Sequence, residues 1–424
     1  MAVTGTPQLG AIIDFSDGAT FVTTAFALDS ATLGVLDTAQ LASGADRIDV
    51  SDRALQASIR RGRNRILDKF EAGTATLTLR DDNGDFNISN VSSPLYGKLV
   101  PLRKIQLFAD YNGVRYPLFY GFITSYTTQF QVGVDEYSKV ILQCVDGFRL
   151  LNGVGFSSVP LASAGETTGA RIGKLLDLAS WPTSQRALDT GDSTCQADPG
   201  TANRNMLDEI QLVGDKTEYG GIFCNNQGQI DFFSRTNLSN RAAQPSTIFS
   251  DDGTQIGYQG IELVHDDVLI VNDVTVTRLG GTPQQVTDAT SISTYFTHSG
   301  VRSGIYVQTD AEAMNQAIML LATRKDATLH ISSLGLNIFD SDPASASRVI
   351  AGLSLDIFSP IQVTKTMPGA TSLTATLFVQ GVQHDITKSS FVTKLLTAEP
   401  IIKAFVLDDT QEGVLDGTAG LLSY

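Results

Sequence analysis

The fold is decided by the segment Gly73-Thr74-Ala75-Thr76-Leu77-Thr78-Leu79-Arg80, in which apolar and polar residues alternate. This is the pattern of a β-strand that buries one of its two faces. The next segment, Asp81-Asp82-Asn83-Gly84-Asp85, contains an Asn-Gly pair, which favours a tight turn with positive φ. Together the two segments predict a strand that leads into a hairpin turn.

Similar strand patterns recur along most of the chain. They are rich in Val, Ile, Thr, Tyr and Phe, and Gly, Asn and Asp separate them. Hairpin turns are predicted at Asn112-Gly113 and Gln227-Gly228. The further predicted strands are 104–110, 114–126, 138–145, 220–224, 229–234, 268–278, 327–332, 372–380 and 390–397.

Helical periodicity is confined to a few short segments. The predicted helices are 168–179, 205–213 and 310–325. In the last of them, Asp310 is predicted to cap the helix. Its predicted apolar face consists of Met314, Ile318, Leu321 and Ala322. The predicted fold class is therefore mainly β with an inserted α/β portion.

Composition divides the chain into five parts. The stretches 156–168 and 240–253 are rich in small and polar residues and are predicted to be linkers. The predicted parts are a segment 1–44, a strand-rich domain 45–156, a mixed α/β domain 157–252, a strand-rich domain 253–400 and a segment 401–424.

The two end segments contain a short internal repeat. Phe26 and Leu28 are followed by a Gly-Val-Leu-Asp run, and Phe405 and Leu407 are followed by the same run at the same spacing. One interpretation is a docking element used twice, because an isolated two-stranded hairpin is only marginally stable and must pack on something larger. The other interpretation is a chance likeness between two acidic, apolar segments.

The charge balance bears on the class of partner. The 424 residues include 30 Lys and Arg against 45 Asp and Glu, for a net charge of -15. This argues against a protein whose main task is to bind nucleic acid, because phosphate binding needs a basic surface. The three cysteines lack the spacing of a disulfide framework or a zinc site. The sequence also predicts neither a signal peptide nor a membrane span.

Candidate catalytic groups are few. The four histidines show no metal-binding spacing. The acid pairs Asp81/Asp85 and Asp266/Asp267 are the candidates for a cell-wall or polysaccharide hydrolase. A glycosidase holds two carboxyl groups roughly 5–9 Å apart in a cleft, whereas acidic pairs in turns are common without catalysis. The sequence therefore predicts no catalytic, cofactor-binding or metal-binding residues.

Arg60, Arg61, Arg63 and Arg65 form the one concentrated basic element. Arginine pairs with carboxylates through two parallel hydrogen bonds, so such a run suits an interface between subunits. A solvated loop is the second interpretation. A nucleic-acid patch is the third, but interleaved aromatic residues for base stacking are missing before Phe70.

Most of the chain, from about residue 45 onward, resembles minor tail proteins and baseplate-hub proteins of long-tailed siphophages. In the first strand-rich part the resemblance is carried by Ser58-Ile59-Arg60-Arg61-Gly62-Arg63, Asp82-Asn83-Gly84-Asp85-Phe86-Asn87, Gly113-Val114-Arg115-Tyr116-Pro117-Leu118-Phe119-Tyr120-Gly121-Phe122-Ile123 and Cys144-Val145-Asp146-Gly147-Phe148. Later in the chain it is carried by Glu218-Tyr219-Gly220, Gly228-Gln229-Ile230-Asp231-Phe232, Asn272-Asp273-Val274-Thr275-Val276-Thr277-Arg278 and Gln380-Gly381-Val382-Gln383-His384-Asp385.

The resemblance implies a structural protein of the virion, assembled in the host cytoplasm and located at the tail tip. The two strand-rich domains would be tail-tube-like β-barrels, and a homotrimer would place six barrels in a ring that continues the tube. Implied partners are distal-tail and tail-tube proteins, the tape-measure protein and tip or fibre proteins. Genome DNA would pass through without sequence-specific binding, and no stable membrane insertion is implied. An acidic channel wall fits that passage, because it repels DNA.

Two alternatives remain at this point. A distal tail protein, a hexameric adaptor ring, belongs to the same class and has one tube-like domain in each chain. An enzyme that hydrolyses cell wall or polysaccharide belongs to a different class.

Overall fold

The computed structural model describes residues 5–15, 47–64, 69–130, 138–369 and 371–400. The fold is mainly β, as predicted from the sequence. The segments that contain Phe26, Leu28, Arg65, Phe405 and Leu407 lie outside the described residues. The docking role predicted for the two end segments therefore stays a prediction.

The strands fall into three groups along the chain. The first group is β1 (Gln8–Asp14), β2 (Arg47–Asp49), β3 (Ala54–Gly62), β4 (Glu71–Arg80), β5 (Arg103–Tyr111), β6 (Val114–Gln129) and β7 (Lys139–Val145). The second, mostly short, is β8 (Gly155–Phe156), β9 (Glu166–Thr167), β10 (Arg186–Leu188), β11 (Thr194–Cys195), β12 (Arg204–Asn205), β13 (Gly221–Cys224) and β14 (Ile230–Phe233). The third is β15 (Thr247–Ser250), β16 (Gly260–Val264), β17 (Asp273–Arg278), β18 (Gln284–Thr287), β19 (Ser299–Ile305), β20 (His330–Asn337), β21 (Pro360–Lys365), β22 (Leu373–Thr387) and β23 (Ser390–Ala398).

All the described α-helices come after the first group of strands. They are α1 (Gly147–Leu151), α2 (Thr168–Leu178), α3 (Met206–Gln211), α4 (Arg235–Ala242), α5 (Ala289–Tyr295), α6 (Asp310–Arg324) and α7 (Ala346–Ser354). A π-helical segment, Leu212–Thr217, extends α3. The helices predicted at 168–179, 205–213 and 310–325 are thus present, whereas α1, α4, α5 and α7 were not predicted.

Thirteen strands form one large sheet. Its main path runs β16-β20-β23-β22-β3-β4-β7-β6-β5-β1-β2, while β21 pairs with β22 and β15 pairs with β21. The described strands form no closed barrel. The two strand-rich parts of the chain meet where β22 pairs with β3. The two-barrel division therefore stays a prediction, and the observed architecture is one sheet built from both parts.

The large sheet contains the same strand order twice. We call β3-β4-β7-β6-β5-β1 the first module and β16-β20-β23-β22-β21-β15 the second module. The register also repeats: Phe122 of β6 faces Val145 of β7, as Phe378 of β22 faces Ala398 of β23, and a bulge follows in both pairs. The modules differ at one edge, since β1 pairs antiparallel with β5 and β15 pairs parallel with β21.

Apolar side chains from both modules pack into one core. Leu77, Leu107 and Leu142 of the first module belong to the same buried cluster as Leu334 and Leu377 of the second. A second core lies among the helices and short strands of the inserted portion, which consists of β8 to β14 and α1 to α4. Because strands from both modules line one core, neither module buries its apolar face independently of the other.

The predicted hairpin turn at Asp81-Asp82-Asn83-Gly84-Asp85 is wrong. β4 pairs with β3 and β7, and a long loop separates it from β5. The buried Asp81 carboxylate accepts hydrogen bonds from the backbone N–H groups of Asp85 (2.8 Å) and Phe86 (3.1 Å). The acidic run therefore organises a loop. The hairpin predicted at Asn112-Gly113 is confirmed, and both residues have positive φ, 50° and 78°.

The orientation predicted for α6 is also wrong. Its cap is Thr309, whose hydroxyl accepts from the Glu312 N–H while the Glu312 carboxylate accepts from the Thr309 N–H. The buried face consists of Ala313, Gln316, Ala317, Leu320 and Arg324. Alanine has no long side chain, so this face packs closely on β17 and leaves the predicted apolar face partly in solvent.

Both segments predicted to be linkers contain strands. The segment 156–168 includes β9, which pairs with β11, and 240–253 includes β15, which pairs with β21. Phe249 of β15 is fully buried. These strands are too short for their alternation to stand out from the surrounding polar residues.

Candidate assembly interface

The predicted arginine run lies at the junction between the two modules. Arg60 and Arg61 belong to β3, which pairs with β22 from Gln56↔Thr387 to Gly62↔Gly381. On the solvent side of this junction, the Ser58 hydroxyl donates to an Asp385 carboxylate oxygen at 2.8 Å. Successive residues of a strand face opposite sides, so neighbouring arginines have different surroundings.

Arg61 faces inward and is only 3% exposed. Its Nη2 lies 2.7 Å from Oδ1 of Asp356, in the loop before β21. The other Asp356 carboxylate oxygen accepts from the Asn226 N–H, in the turn between β13 and β14, at 3.0 Å. One ion pair thereby connects the first module, the second module and the inserted portion. The carboxylate partner predicted for Arg61 exists, but within the same chain.

The other arginines of the run have separate partners. The Arg63 Nε donates to the side-chain oxygen of Gln380 at 2.8 Å, and its guanidinium lies 4.3 Å from the centroid of the Phe70 ring. Arg60 is exposed, and its Nη2 donates to the Asn64 side-chain oxygen at 2.6 Å. An intersubunit role therefore stays a prediction for Arg60, whose side chain is open to solvent.

Two buried titratable groups flank Arg61. Burial raises the pKa of Asp146 to about 7, although its carboxylate accepts from the N–H groups of Gly73 (2.7 Å) and Phe148 (3.0 Å). Burial, assisted by the positive charge of Arg61, lowers the pKa of His384 to about 3. The His384 Nδ1 lies 2.9 Å from the Thr393 hydroxyl. At neutral pH His384 is therefore uncharged in the folded protein.

We expect His384→Gln to reduce the loss of stability in acid. The unfolded chain binds a proton at His384 below about pH 6.5, but the folded chain does not. The folded state therefore loses up to about 1.4 kcal/mol of stability per pH unit as the pH falls below 6.5. Urea unfolding at several pH values from 7 down to 4 measures this slope. The raised pKa of Asp146 affects the original protein and the variant alike. Parallel pH profiles of stability for the two proteins would therefore contradict the expectation.

An aromatic cluster forms a second link between the three parts of the chain. Phe358 is 2% exposed, and its ring centroid lies 5.5 Å from Phe70 of the first module, 5.6 Å from Phe223 of β13 and 6.0 Å from Phe378 of β22. Phe233 of β14 completes the cluster at 6.2 Å. These rings lie far apart in the sequence, so no local pattern indicates that they meet.

Sequence reasoning missed both Asp356 and Asp146 as parts of this junction. Asp356 gives no local signal, because its partner Arg61 comes from a distant strand. Asp146 does give one: it precedes Gly147 and Phe148, and its carboxylate caps the first turn of α1. An Asp directly before a short apolar helix is a common N-terminal capping pattern.

The acid pairs considered for hydrolysis contain carboxylates that bond to the local chain. The Asp81 carboxylate accepts hydrogen bonds from two backbone N–H groups, and Asp85 forms an ion pair with Arg53 at 2.7 Å. Asp266 accepts from the Val268 N–H at 3.2 Å, as in a local turn. Within the described ranges, no group of three or more His, Cys, Asp or Glu residues is arranged to hold a metal ion. The same ranges contain no helix with the length and apolar character needed to cross a membrane.

The comparisons with known proteins identify the fold. No family model matches the chain, and no curated protein matches it in sequence. The tail protein from Neisseria meningitidis MC58 is 14% identical, with a TM-score of 0.54 over 84% of this chain and 94% of that one. A 43 kDa tail protein of prophage MuSo2 from Shewanella oneidensis is 11% identical over 82% of this chain and 95% of that chain, with a TM-score of 0.49. Prophage tail protein gp18 from Listeria monocytogenes EGD-e is 8% identical over 92% of this chain and 95% of that chain, with a TM-score of 0.47.

At 14% identity, the first of these comparisons establishes a shared fold. The resemblance to phage tail proteins found in the sequence is therefore confirmed at the level of the fold. A shared fold does not define an activity or a position in an assembly, which must be argued from the surfaces of this chain.

Proposed function

We propose that this protein is a structural subunit of a phage tail, the baseplate hub at the tail tip. The observation that carries the proposal is the duplicated strand order in one chain. Three copies would present six similar modules, so a trimeric ring could match a six-fold tube. A distal adaptor ring would reach the same symmetry with six copies and one module in each.

The shared fold of a tail protein supports the tail assignment. Proposed partners are other copies of this chain, distal-tail and tail-tube proteins, the tape-measure protein and tip or fibre proteins. The net charge of -15 supports an acidic channel wall past which DNA slides without being held. The repeated end segments around Phe26 and Phe405 are proposed to dock on the two modules or on neighbouring subunits.

A structural role is favoured over hydrolysis. The junction residues Arg61 and Asp356 bond to each other, so their polar groups hold parts of the chain together instead of pointing into a cleft. Asp81 and Asp85 likewise bond to the loop and to Arg53. Turnover of peptidoglycan or polysaccharide by the purified protein would contradict this assignment.

We expect assembled particles of the purified protein to contain three chains of 45.3 kDa each. Light scattering coupled to size-exclusion chromatography measures the mass directly, over a range of protein concentrations and in the presence of isolated tail tubes. Particles of six chains would contradict the hub and favour the distal ring.

A further inference from the structure

The two modules are joined inside the chain by strand pairing. The second half of β22 pairs antiparallel with β3, from Gly381↔Gly62 to Thr387↔Gln56. The bond from the Ser58 hydroxyl to the Asp385 carboxylate crosses this junction at 2.8 Å. The junction is thus a continuous ladder with a polar contact on its solvent face.

The same two edges occur a second time in the molecule. The repeated strand order makes β6 the counterpart of β22, and β16 the counterpart of β3. The second half of β6 pairs with β7 on one side, and β16 pairs with β20 on one side. The other side of β16, and the other side of the second half of β6, pair with no strand within the part of the chain that the structure describes.

Register identifies the counterparts on the β6 edge. Gln129 follows Phe122 at the same distance along the chain as Asp385 follows Phe378, and both intervals contain one bulge. Phe130, the residue after Gln129, therefore corresponds to Ile386, the residue after Asp385.

Register also identifies the counterparts on the β16 edge. Glu262 faces Ser333 of β20, and Ser58 faces Thr76 of β4. Ser333 and Thr76 in turn face equivalent positions of β23 and β7. Glu262 therefore corresponds to Ser58, and the preceding residue, Ile261, corresponds to Ala57.

Burial differs between the paired and the unpaired edges. Ile386 is 3% exposed, whereas its counterpart Phe130 is 61% exposed. Ala57 is buried, whereas its counterpart Ile261 is half-buried. Ile386 and Ala57 face each other across the internal junction, so each is covered by the facing strand. The free edges lack such a facing strand, and their side chains are therefore more exposed. Open edges with apolar side chains favour pairing with another chain.

We propose that the β6 edge of one copy pairs antiparallel with β16 of the next copy, with Gln129 opposite Glu262 and Phe130 opposite Ile261. This interface repeats the internal β22·β3 junction, and it rests on the ring proposed above. Its occupant is a second copy of this chain, because the two edges are counterparts of edges that already fit each other. The contact is head-to-tail, so it closes into a ring if the rotation between copies permits.

Cysteine cross-linking in assembled tails tests the pairing. We expect the variant with Gln129→Cys and Glu262→Cys to form covalent dimers and trimers after oxidation or addition of a short bismaleimide. Residues directly opposite in an antiparallel pair lie close enough for this, with Cβ atoms roughly 4.5–5.5 Å apart. Each single substitution should give no such ladder, since the native Cys144, Cys195 and Cys224 are buried.

The internal junction supplies the positive control. Ser58→Cys with Asp385→Cys should cross-link within one chain and leave its mass unchanged. Tails that contain the chain as a trimer but show no cross-link between Gln129→Cys and Glu262→Cys would overturn the pairing and leave the hub proposal standing. A chain that is absent from tails would overturn the hub proposal and the pairing with it.

A second pair of variants avoids dependence on cross-linking chemistry. We expect Phe130→Glu to weaken assembly at least tenfold, because it places a charge opposite Ile261 in the proposed interface. Phe296→Glu is the matched control, since Phe296 is 82% exposed and lies outside both edges. Equal assembly of the two variants at every protein concentration would overturn the proposal.

Discussion

Replacing Arg61 with Met is expected to lower the free energy of unfolding by about 1.5–3 kcal/mol, the usual contribution of a hydrogen bond to a charged group. The substitution keeps most of the side-chain volume but leaves the Asp356 carboxylate without its cation. Because that pair connects both modules and the inserted portion, the loss is expected in all three parts. Urea unfolding followed by tryptophan fluorescence and by circular dichroism measures it.

Arg60→Met is the matched control for this prediction. Arg60 is the neighbouring residue of the same strand, but its side chain faces solvent and bonds to Asn64. Substitutions at such exposed positions usually change stability by no more than about 0.5 kcal/mol. Equal effects of the two substitutions would show that the ion pair between Arg61 and Asp356 does not hold the junction together.

Replacing Phe358 with Ala is expected to lower the free energy of unfolding by about 3–5 kcal/mol. The ring fills the space between Phe70, Phe223 and Phe378, so its removal leaves a cavity where the modules meet the inserted portion. Thermal and urea unfolding measure the change, and binding of a hydrophobic dye would report a loosened junction.

Phe296→Ala separates packing from backbone effects. Both phenylalanines have positive φ, 60° for Phe358 and 67° for Phe296, so both substitutions act on a similar backbone conformation. Phe296 is 82% exposed and contributes little packing. We expect its substitution to change stability by no more than about 0.5 kcal/mol. A comparable loss in both variants would contradict the role assigned to the aromatic cluster.

Local sequence patterns predicted most of the strands. Strict alternation located β4, and runs of β-branched and aromatic residues located β5, β6 and β7. The Asn112-Gly113 turn was also predictable, because both of its residues adopt positive φ. These features depend on interactions within a few residues, which is the range over which composition and spacing carry information.

Features that depend on distant contacts were not predictable. The acidic run that begins at Asp81 has the composition of a hairpin turn, but its buried carboxylate instead organises a loop. The buried face of α6 is set by close packing of Ala313 and Ala317 on β17, not by its largest apolar residues. The β22·β3 junction joins residues that are far apart in the chain, such as Ser58 and Asp385.

The arginine run shows the same division between local and distant information. Its charge density led to a prediction of carboxylate partners in a neighbouring subunit, but Arg61 bonds to Asp356 of the same chain, and Arg60 and Arg63 bond to the amide side chains of Asn64 and Gln380. Alternation along β3 separates the buried Arg61 from the exposed Arg60, and it becomes informative only once the strand and its inward face are known.

A symmetry-resolved cryo-electron microscopy map of intact tails tests the central claim most directly. The account predicts three copies of this chain around the tail axis at the tip, with two sheet modules from each copy forming a ring of six. Density for the β6 edge of one copy should be continuous with β16 of the next. Six copies in one ring, or a location away from the tail axis, would contradict the account.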